Sequence, residues 1–363
     1  MQLEKIFAEA VCTEIANWMA GRSLQSCSDE QSDPVQFSNA LLPNLLSRLQ
    51  AAGVTRDQLK QLAWGEPCIH LQGVFPTEGY DDQLPETPVD FLPVPDCRAT
   101  IAARASAILC LATIDSSVVS YASENDGHLF VNLVALDGDD HMAEKSKSSM
   151  RGHTDGVFFP IRGERDEKYP NFAPSPDFVC LSALRNPNST ETTVMPLAEV
   201  LSALSDSEIA ELCKPQFSIV PQKTFRKGLA RILNLRSTRP PRLDNRSVLS
   251  PRPEGFWVRF SHSSVTAPLL TDDGSEETDI DAQNAASSAV EAFVKHCVNK
   301  LRSVVISPGD ILLVNNRIGL HGRSGVGEEV GGQSRWLLRT YGLEISELVA
   351  EMRYDGSTYK LYP

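Results

Sequence analysis

Three residues of this 363-residue chain have the types and spacing to hold a metal ion: His153, Asp155 and His321. His153-Thr154-Asp155 is an HxD triplet. In a strand, residues i and i+2 face the same way, so both side chains can reach one ion. Taken alone the triplet says little, because a chain with seven histidines and 47 acids yields about one by chance. The downstream segment PGDILLVNNRIGLHGRS strengthens it, supplying a tight turn, a strand and then His321. A third ligand from a distant strand completes two imidazoles and one carboxylate.

Such a set on one face of an ion leaves three positions open, the arrangement that non-haem Fe(II) oxygenases use to admit a bidentate keto acid and then O2. Zinc accepts the same ligands with water as a fourth, which keeps a zinc-dependent hydrolase as an alternative. Arg335 and Arg339 follow His321 by 14 and 18 residues. If SRWLLRTYG is a strand, Arg335, Leu337 and Arg339 share its inward face. An inward guanidinium is costly unless it meets an anion, and a bidentate carboxylate is the natural one. Two such arginines near the metal call for two carboxylates, one from a co-substrate and one from the substrate. Zinc hydrolysis gives neither arginine a task, and a non-catalytic jelly-roll binding module would have little reason to keep the triad.

The elements that must position these residues are legible in outline. Residues 1–65 carry apolar positions three and four apart, with a Ser/Asp/Gln-rich linker from Ser26 to Pro34, and residues 100–113 fit a buried helix. A Pro-rich passage from Pro76 to Pro95 reads as an extended crossing segment. Short β-type runs then follow: SSVVSYAS, HLFVNLVAL, GVFFPI, DFVCLSAL, TTVMPL, FSIVP, FWVRF, SVVISPGDILLVNN and SRWLLRTYGL. The reading is a mainly β chain with helical insertions at about 197–214 and 282–302, the strands forming a sandwich or jelly roll. Residues 1–99 pack on a core spanning 100–363, as one structural unit.

Composition bounds the partners. A net charge of -13 argues against nucleic acid or an anionic membrane surface, since both need a basic face. No apolar run approaches the ~20 residues that span a bilayer. The N-terminus lacks a signal-peptide pattern, which points to the cytoplasm. The eight scattered cysteines form no CxxC pair and read as free thiols of a reducing compartment. Homo-oligomerisation stays open.

With these residues in hand, the chain resembles the clavaminate synthase-like Fe(II)/2-oxoglutarate oxygenases, and within them the free L-amino-acid hydroxylases that act on arginine or lysine. The resemblance runs from about Ser116 to Tyr341. It is densest at GHTDGVFFP, PDFVCLSALRNPNSTETTV and PGDILLVNNRIGLHGRS…SRWLLR, where the His-to-Arg intervals are those of this branch. It implies a distorted double-stranded β-helix (jelly roll), with Fe(II), 2-oxoglutarate and O2 as cofactors and His153, Asp155 and His321 as the catalytic metal ligands. Arg335 would clamp the distal carboxylate of 2-oxoglutarate, helped by the hydroxyl of Thr192 or Thr193, and Arg339 would take the substrate α-carboxylate. Arg317 and Arg323 would belong to the scaffold around His321. Members that halogenate carry Gly or Ala at the acid position, so Asp155 implies hydroxylation, desaturation or ring closure.

Relatives that take arginine or lysine hold its terminus with acids after a strand like FWVRF, where this chain has Ser261, His262 and Ser263. Asn132, Ser149 and His262 are the further candidates for substrate contact, with Ser148 behind them. The acidic stretch holding Asp272, Asp273, Glu276, Glu277, Asp279 and Asp281 reads as a solvated loop that could close as a lid. The expected substrate is a small-molecule amino acid, a cationic one such as L-lysine first, hydroxylated with release of succinate and CO2. Another amino acid or a natural-product intermediate is the alternative.

Overall fold

The computed structural model describes residues 2–76, 84–138, 142, 146–235, 240–267 and 280–363. At the N-terminus, α1 (Gln2–Met19) buries Phe7, Val11, Ile15 and Trp18, a stripe at helical spacing. The stretch read as a linker folds instead into α2 (Leu24–Glu30), because Ser23 caps it by accepting from the Ser26 N–H. Helix α3 (Pro34–Ala51) starts on Asp33, which accepts from the Val35 and Gln36 N–H groups, and α4 (Arg56–Gly65) starts on a Thr55/Gln58 capping box. Helix α5 (Arg98–Thr113) is buried on nearly every side against α1, α3 and a large sheet, in keeping with its mostly small and apolar residues.

The strands follow. Before the metal ligands come β1 (Cys68–Leu71), β2 (Ser117–Tyr121), β3 (Val131–Leu133) and β4 (Met150–His153). Next are β5 (Phe178–Arg185), β6 (Glu191–Pro196), β7 (Phe217–Ile219), β8 (Leu243–Arg246), β9 (Leu249–Arg252), β10 (Gly255–Val258) and β11 (Val265–Thr266). The last are β12 (Arg302–Val305), β13 (Ile311–Asn315), β14 (Gly319–Arg323), β15 (Trp336–Leu343) and β16 (Lys360–Leu361). The main sheet runs β1-β13-β5-β15-β2-β16 with β3 also on β15, and a second sheet runs β12-β6-β14-β4. Two smaller groups, β11-β7-β8 and the β9–β10 pair, stand beside them.

The main sheet is buried on both faces, and its side chains sort by the period of two. Phe178, Cys180, Ile311, Leu313, Trp336 and Leu338 face the helical layer of α1 to α5. Val179, Leu181, Leu312, Val314, Leu337 and Tyr341 face the other way, into a core shared with Val194, Met195 and Leu320 of the second sheet.

The expected insertions are present as α6 (Leu197–Leu201), α7 (Asp206–Cys213) and α9 (Ile280–Asn299), with a further helix, α8 (Lys223–Ile232), between β7 and β8. One expected strand is absent. GVFFPI turns at Gly156, whose φ is +70°, and its Val157, Phe158 and Phe159 go into the core as a loop. All eight cysteines are free.

Candidate metal centre

Strand β4 pairs antiparallel with β14, and the register sets His153 directly opposite His321. The two rings lie 4.4 Å apart, centroid to centroid. Asp155 reaches the same point from outside the sheet. It lies two residues beyond the end of β4, in a turn, so the strand rule expected for HxD does not operate. The turn is held from three sides instead. The Asp155 N–H donates to Asn316 Oδ1 at 2.9 Å, and Asn316 Nδ2 donates to the Asp155 and Pro176 carbonyls. Thr154 exchanges hydrogen bonds with the backbone of Phe260. Gln222 accepts from the Gly156 N–H and donates to the Thr154 carbonyl.

The donor atoms of His153, Asp155 and His321 all lie within 4.8 Å of one another. His153 Nε2 is 3.5 Å from Asp155 Oδ1, and His321 Nε2 is 3.7 Å from Asp155 Oδ2. These contacts are too long for good hydrogen bonds. They approach the roughly 3–3.5 Å between atoms that each sit ~2.1 Å from one ion. His153 Nδ1 lies 3.1 Å from the Arg151 carbonyl, a bond that fixes the tautomer leaving Nε2 free to ligate. Burial, and after it the neighbouring His153, hold His321 down to about 3, so its imidazole is neutral as a ligand must be. Burial pushes the Asp155 carboxyl up, but His153, His321 and Arg339 outweigh it and hold it well below the usual carboxylate range. Two imidazoles and a carboxylate converging in one cleft fit a divalent cation.

The cleft lies between β3, β5 and β15 on one side and β4, β6 and β14 on the other. Arg335 and Thr192 line it together. Arg335 is buried, and among the described residues its guanidinium has no hydrogen bond or ion pair; burial, with Arg323 adding repulsion, brings it down to about 9. The Thr192 hydroxyl is buried without a partner too. Thr193, the other of the pair, does not line the cleft; β6 sets Thr192 opposite Arg323 and Thr193 opposite Gly322 of β14.

Arg339 lines the cleft as well, but it is not free. Its Nη2 donates to Glu124 Oε2 at 2.7 Å, its Nη1 stands 3.9 Å from Asp155 Oδ2, and it lies over the Tyr341 ring. Burial alone would lower its pKa; Glu124, Tyr341 and Asp155 reverse that and raise it. Sequence reasoning missed Glu124. Its only signal was an acid directly after an apolar strand, in SVVSYASE, and the structure buries it.

The remaining candidates separate. Asn132 is a correction: it is fully buried and saturated, accepting from Trp336 Nε1 and donating to the Asp90 and Pro93 carbonyls, which leaves nothing for a substrate. Ser149 and Ser148 are exposed and do not line the cleft. His262 sits edge-on to Phe260 outside the lining. Arg317 is scaffold, donating to Asp177 and to Ser175. Arg323 both lines the cleft and donates to the Ser146 carbonyl. Asp272, Asp273, Glu276, Glu277 and Asp279 lie outside the described residues, while Asp281 is in α9.

No family model matches the chain. Among curated proteins it is similar to an enduracididine beta-hydroxylase of Streptomyces hygroscopicus, 26% identical over 272 residues, 71% of this chain and 72% of that protein. It is 24% identical to an L-lysine 3-hydroxylase of Catenulispora acidiphila and 25% identical to an L-ornithine/L-arginine 3-hydroxylase of the same organism. Those two matches cover 62% and 64% of this chain, and the chain spans only 54% and 64% of those two proteins. Among solved structures it shares its fold with an asparagine oxygenase in complex with Fe(II), 3-hydroxyasparagine and succinate, with a TM-score of 0.71, 21% identity and coverage of 98% and 97%. The non-heme iron oxygenase OrfP, in complex with Fe, succinate and (3S)-hydroxy-L-Arg, gives a TM-score of 0.72 at 22% identity, covering 97% and 96%. By sequence the chain is thus a relative of amino-acid hydroxylases, and by fold it stands with the iron oxygenases that its motifs resemble.

Proposed function

We propose that this chain is an Fe(II)- and 2-oxoglutarate-dependent dioxygenase that hydroxylates a free L-amino acid, with release of succinate and CO2. One observation carries the reading: a cleft that joins a His-Asp-His set to a buried guanidinium with no anion of its own among the described residues. A zinc hydrolase would leave Arg335 without a purpose. The strands around the cleft are read as a distorted jelly roll. Residues 1–99 serve as its support, because α1 to α4 share one apolar core with β5, β13 and β15. No helix among the described residues is long and apolar enough to cross a membrane, which accords with work on a water-soluble metabolite in the cytoplasm.

His153, Asp155 and His321 would hold Fe(II), which with 2-oxoglutarate and O2 supplies the oxidising chemistry. The protein supplies position. Arg335 and the Thr192 hydroxyl take the distal carboxylate of 2-oxoglutarate and so orient its keto-acid end toward the metal. Arg339, steadied by Glu124, presents its guanidinium to the substrate α-carboxylate from beside Asp155. Leu133, Val179, Leu181 and Met150 wall the cleft and exclude water. Asp155 fills the place a halide would need, so hydroxylation is the expected outcome.

Anaerobic addition of Fe(II) and 2-oxoglutarate should produce a weak visible charge-transfer band, and aeration with an amino-acid substrate should release succinate. His153→Ala and His321→Ala should abolish both. Turnover retained in well-folded variants of either histidine would sink the assignment.

A further inference from the structure

The charge inside the cleft narrows the substrate, given the oxygenase reading above. Apart from the ligand Asp155, every charged side chain that the described residues bring to the lining is basic, with Lys223, Arg323, Arg335 and Arg339 on the walls. Among the described residues the acids at hand are committed. Asp155 faces the metal position, and Glu124, behind the lining, is paired with Arg339. Fe(II) and 2-oxoglutarate offset each other, and the α-ammonium and α-carboxylate of an amino acid do the same. Arg335 and Arg339 answer the two carboxylates. Among the described residues, what is left to meet the substrate's side chain is the ammonium of Lys223.

Lys223 is the centre of that surplus. It is the first residue of α8, partly buried, and among the described residues it has no carboxylate partner. The N-terminal end of α8 faces the cleft through Gln222, Lys223 and Thr224, so the helix dipole adds to the same sign. The rest of the lining is uncharged, mixing apolar Leu133, Val134, Met150 and Val326 with polar Ser146 and Thr192. We propose that the amino acid accepted has an uncharged or anionic side chain, and that Lys223 is the specificity-determining residue that turns cationic side chains away. A second ammonium held roughly 6 Å from Lys223 costs on the order of tenfold to a hundredfold in affinity. This expectation runs opposite to the names of the relatives that act on lysine, ornithine and arginine, so one panel separates the two.

The test is calorimetry under argon on the Mn(II)-loaded protein, in two stages. Titration with 2-oxoglutarate comes first and reads the oxygenase assignment; absence of binding there ends both readings. Titration of the Mn(II)/2-oxoglutarate complex then compares L-Asp, L-Glu, L-Asn, L-Gln and L-Leu with L-Lys, L-Arg and L-Orn. At least one of the first group should bind about tenfold or more tighter than every member of the second. Lys223→Glu should narrow that gap by about tenfold, and Lys223→Gln by less, with the 2-oxoglutarate titration of each variant reporting that the site is intact. Tightest binding by a cationic amino acid, binding by none of the panel, or an unchanged gap in Lys223→Glu overturns the inference and leaves the oxygenase reading standing.

Discussion

Arg335 pairs a function with a cost. A guanidinium buried with no carboxylate among the described residues weakens the ligand-free fold, because its pKa is depressed from 12.5 to about 9 and the charge must be carried at every pH below that. Arg335→Met keeps the unbranched stem of the side chain and removes the charged end. The variant should unfold at higher denaturant than the parent while its affinity for 2-oxoglutarate falls by about 2–5 kcal/mol. Denaturant midpoints and a binding isotherm, measured on the same preparation, check both halves. A loss of stability together with the loss of binding would mean that the guanidinium has a partner in the free protein. Glu124 makes the companion case. Glu124→Gln keeps the shape but removes the charge that holds Arg339, so the KM for the amino acid should rise about tenfold while 2-oxoglutarate binding is unchanged. A fall in kcat with KM unmoved would place Glu124 in another role.

Between elements, the closest approach at the site is that of β14 to β4. A Cβ on Gly322 would sit 2.3 Å from the Met150 carbonyl oxygen and 2.9 Å from the Thr193 hydroxyl, so Gly322→Ala must push the strands apart. The expected cost is about 1–3 kcal/mol in stability, with a larger loss in metal affinity because His153 rides on the displaced strand. Gly325→Ala, where the nearest atom lies 3.7 Å away, is the matched control and should change neither. Unchanged metal binding by Gly322→Ala in a calorimetric titration would detach the strand contact from the site. The same pairing explains what the sequence could and could not reveal. His321, Arg335 and Arg339 were legible because their intervals are fixed within one continuous strand-turn-strand segment. Thr192 and Thr193 could not be told apart, since only the β6–β14 register decides which hydroxyl enters the cleft. Asp155 was identified for the wrong reason: its place depends on Asn316 and Gln222, 161 and 67 residues downstream, and no local period encodes that turn. Asn132 misled because a polar residue in an apolar strand signals a buried hydrogen-bond network as readily as a binding site. Glu124 is linked to the site through Arg339, 215 residues away.

At the scale of the whole molecule, the metal centre makes stability depend on pH. His321 has its pKa lowered from 6.5 to about 3, and Asp155 is also held below its ordinary value. Both shifts are depressions, so the folded chain binds fewer protons than the unfolded one wherever the pH lies between the folded and ordinary values. Stability is therefore fully present above about 6.5 and is lost as pH falls toward about 3, at up to about 1.4 kcal/mol per pH unit for each proton. The metal-free protein should show a denaturant midpoint that is level above neutrality and declines between pH 6.5 and 4. His321→Asn removes the titrating ring and should flatten that decline, although it also ends metal binding. Saturation with Mn(II) at pH 7.5 should raise the melting temperature by a few degrees, and 2-oxoglutarate should add to it, because each ligand binds only the folded chain. The metal increment should shrink as the pH falls below 6.5, since protons then compete for the ligands. In Arg335→Met the metal increment should survive and the 2-oxoglutarate increment should disappear. Loss of both increments would mean that the guanidinium organises the metal ligands themselves, and loss of neither would remove it from the co-substrate site.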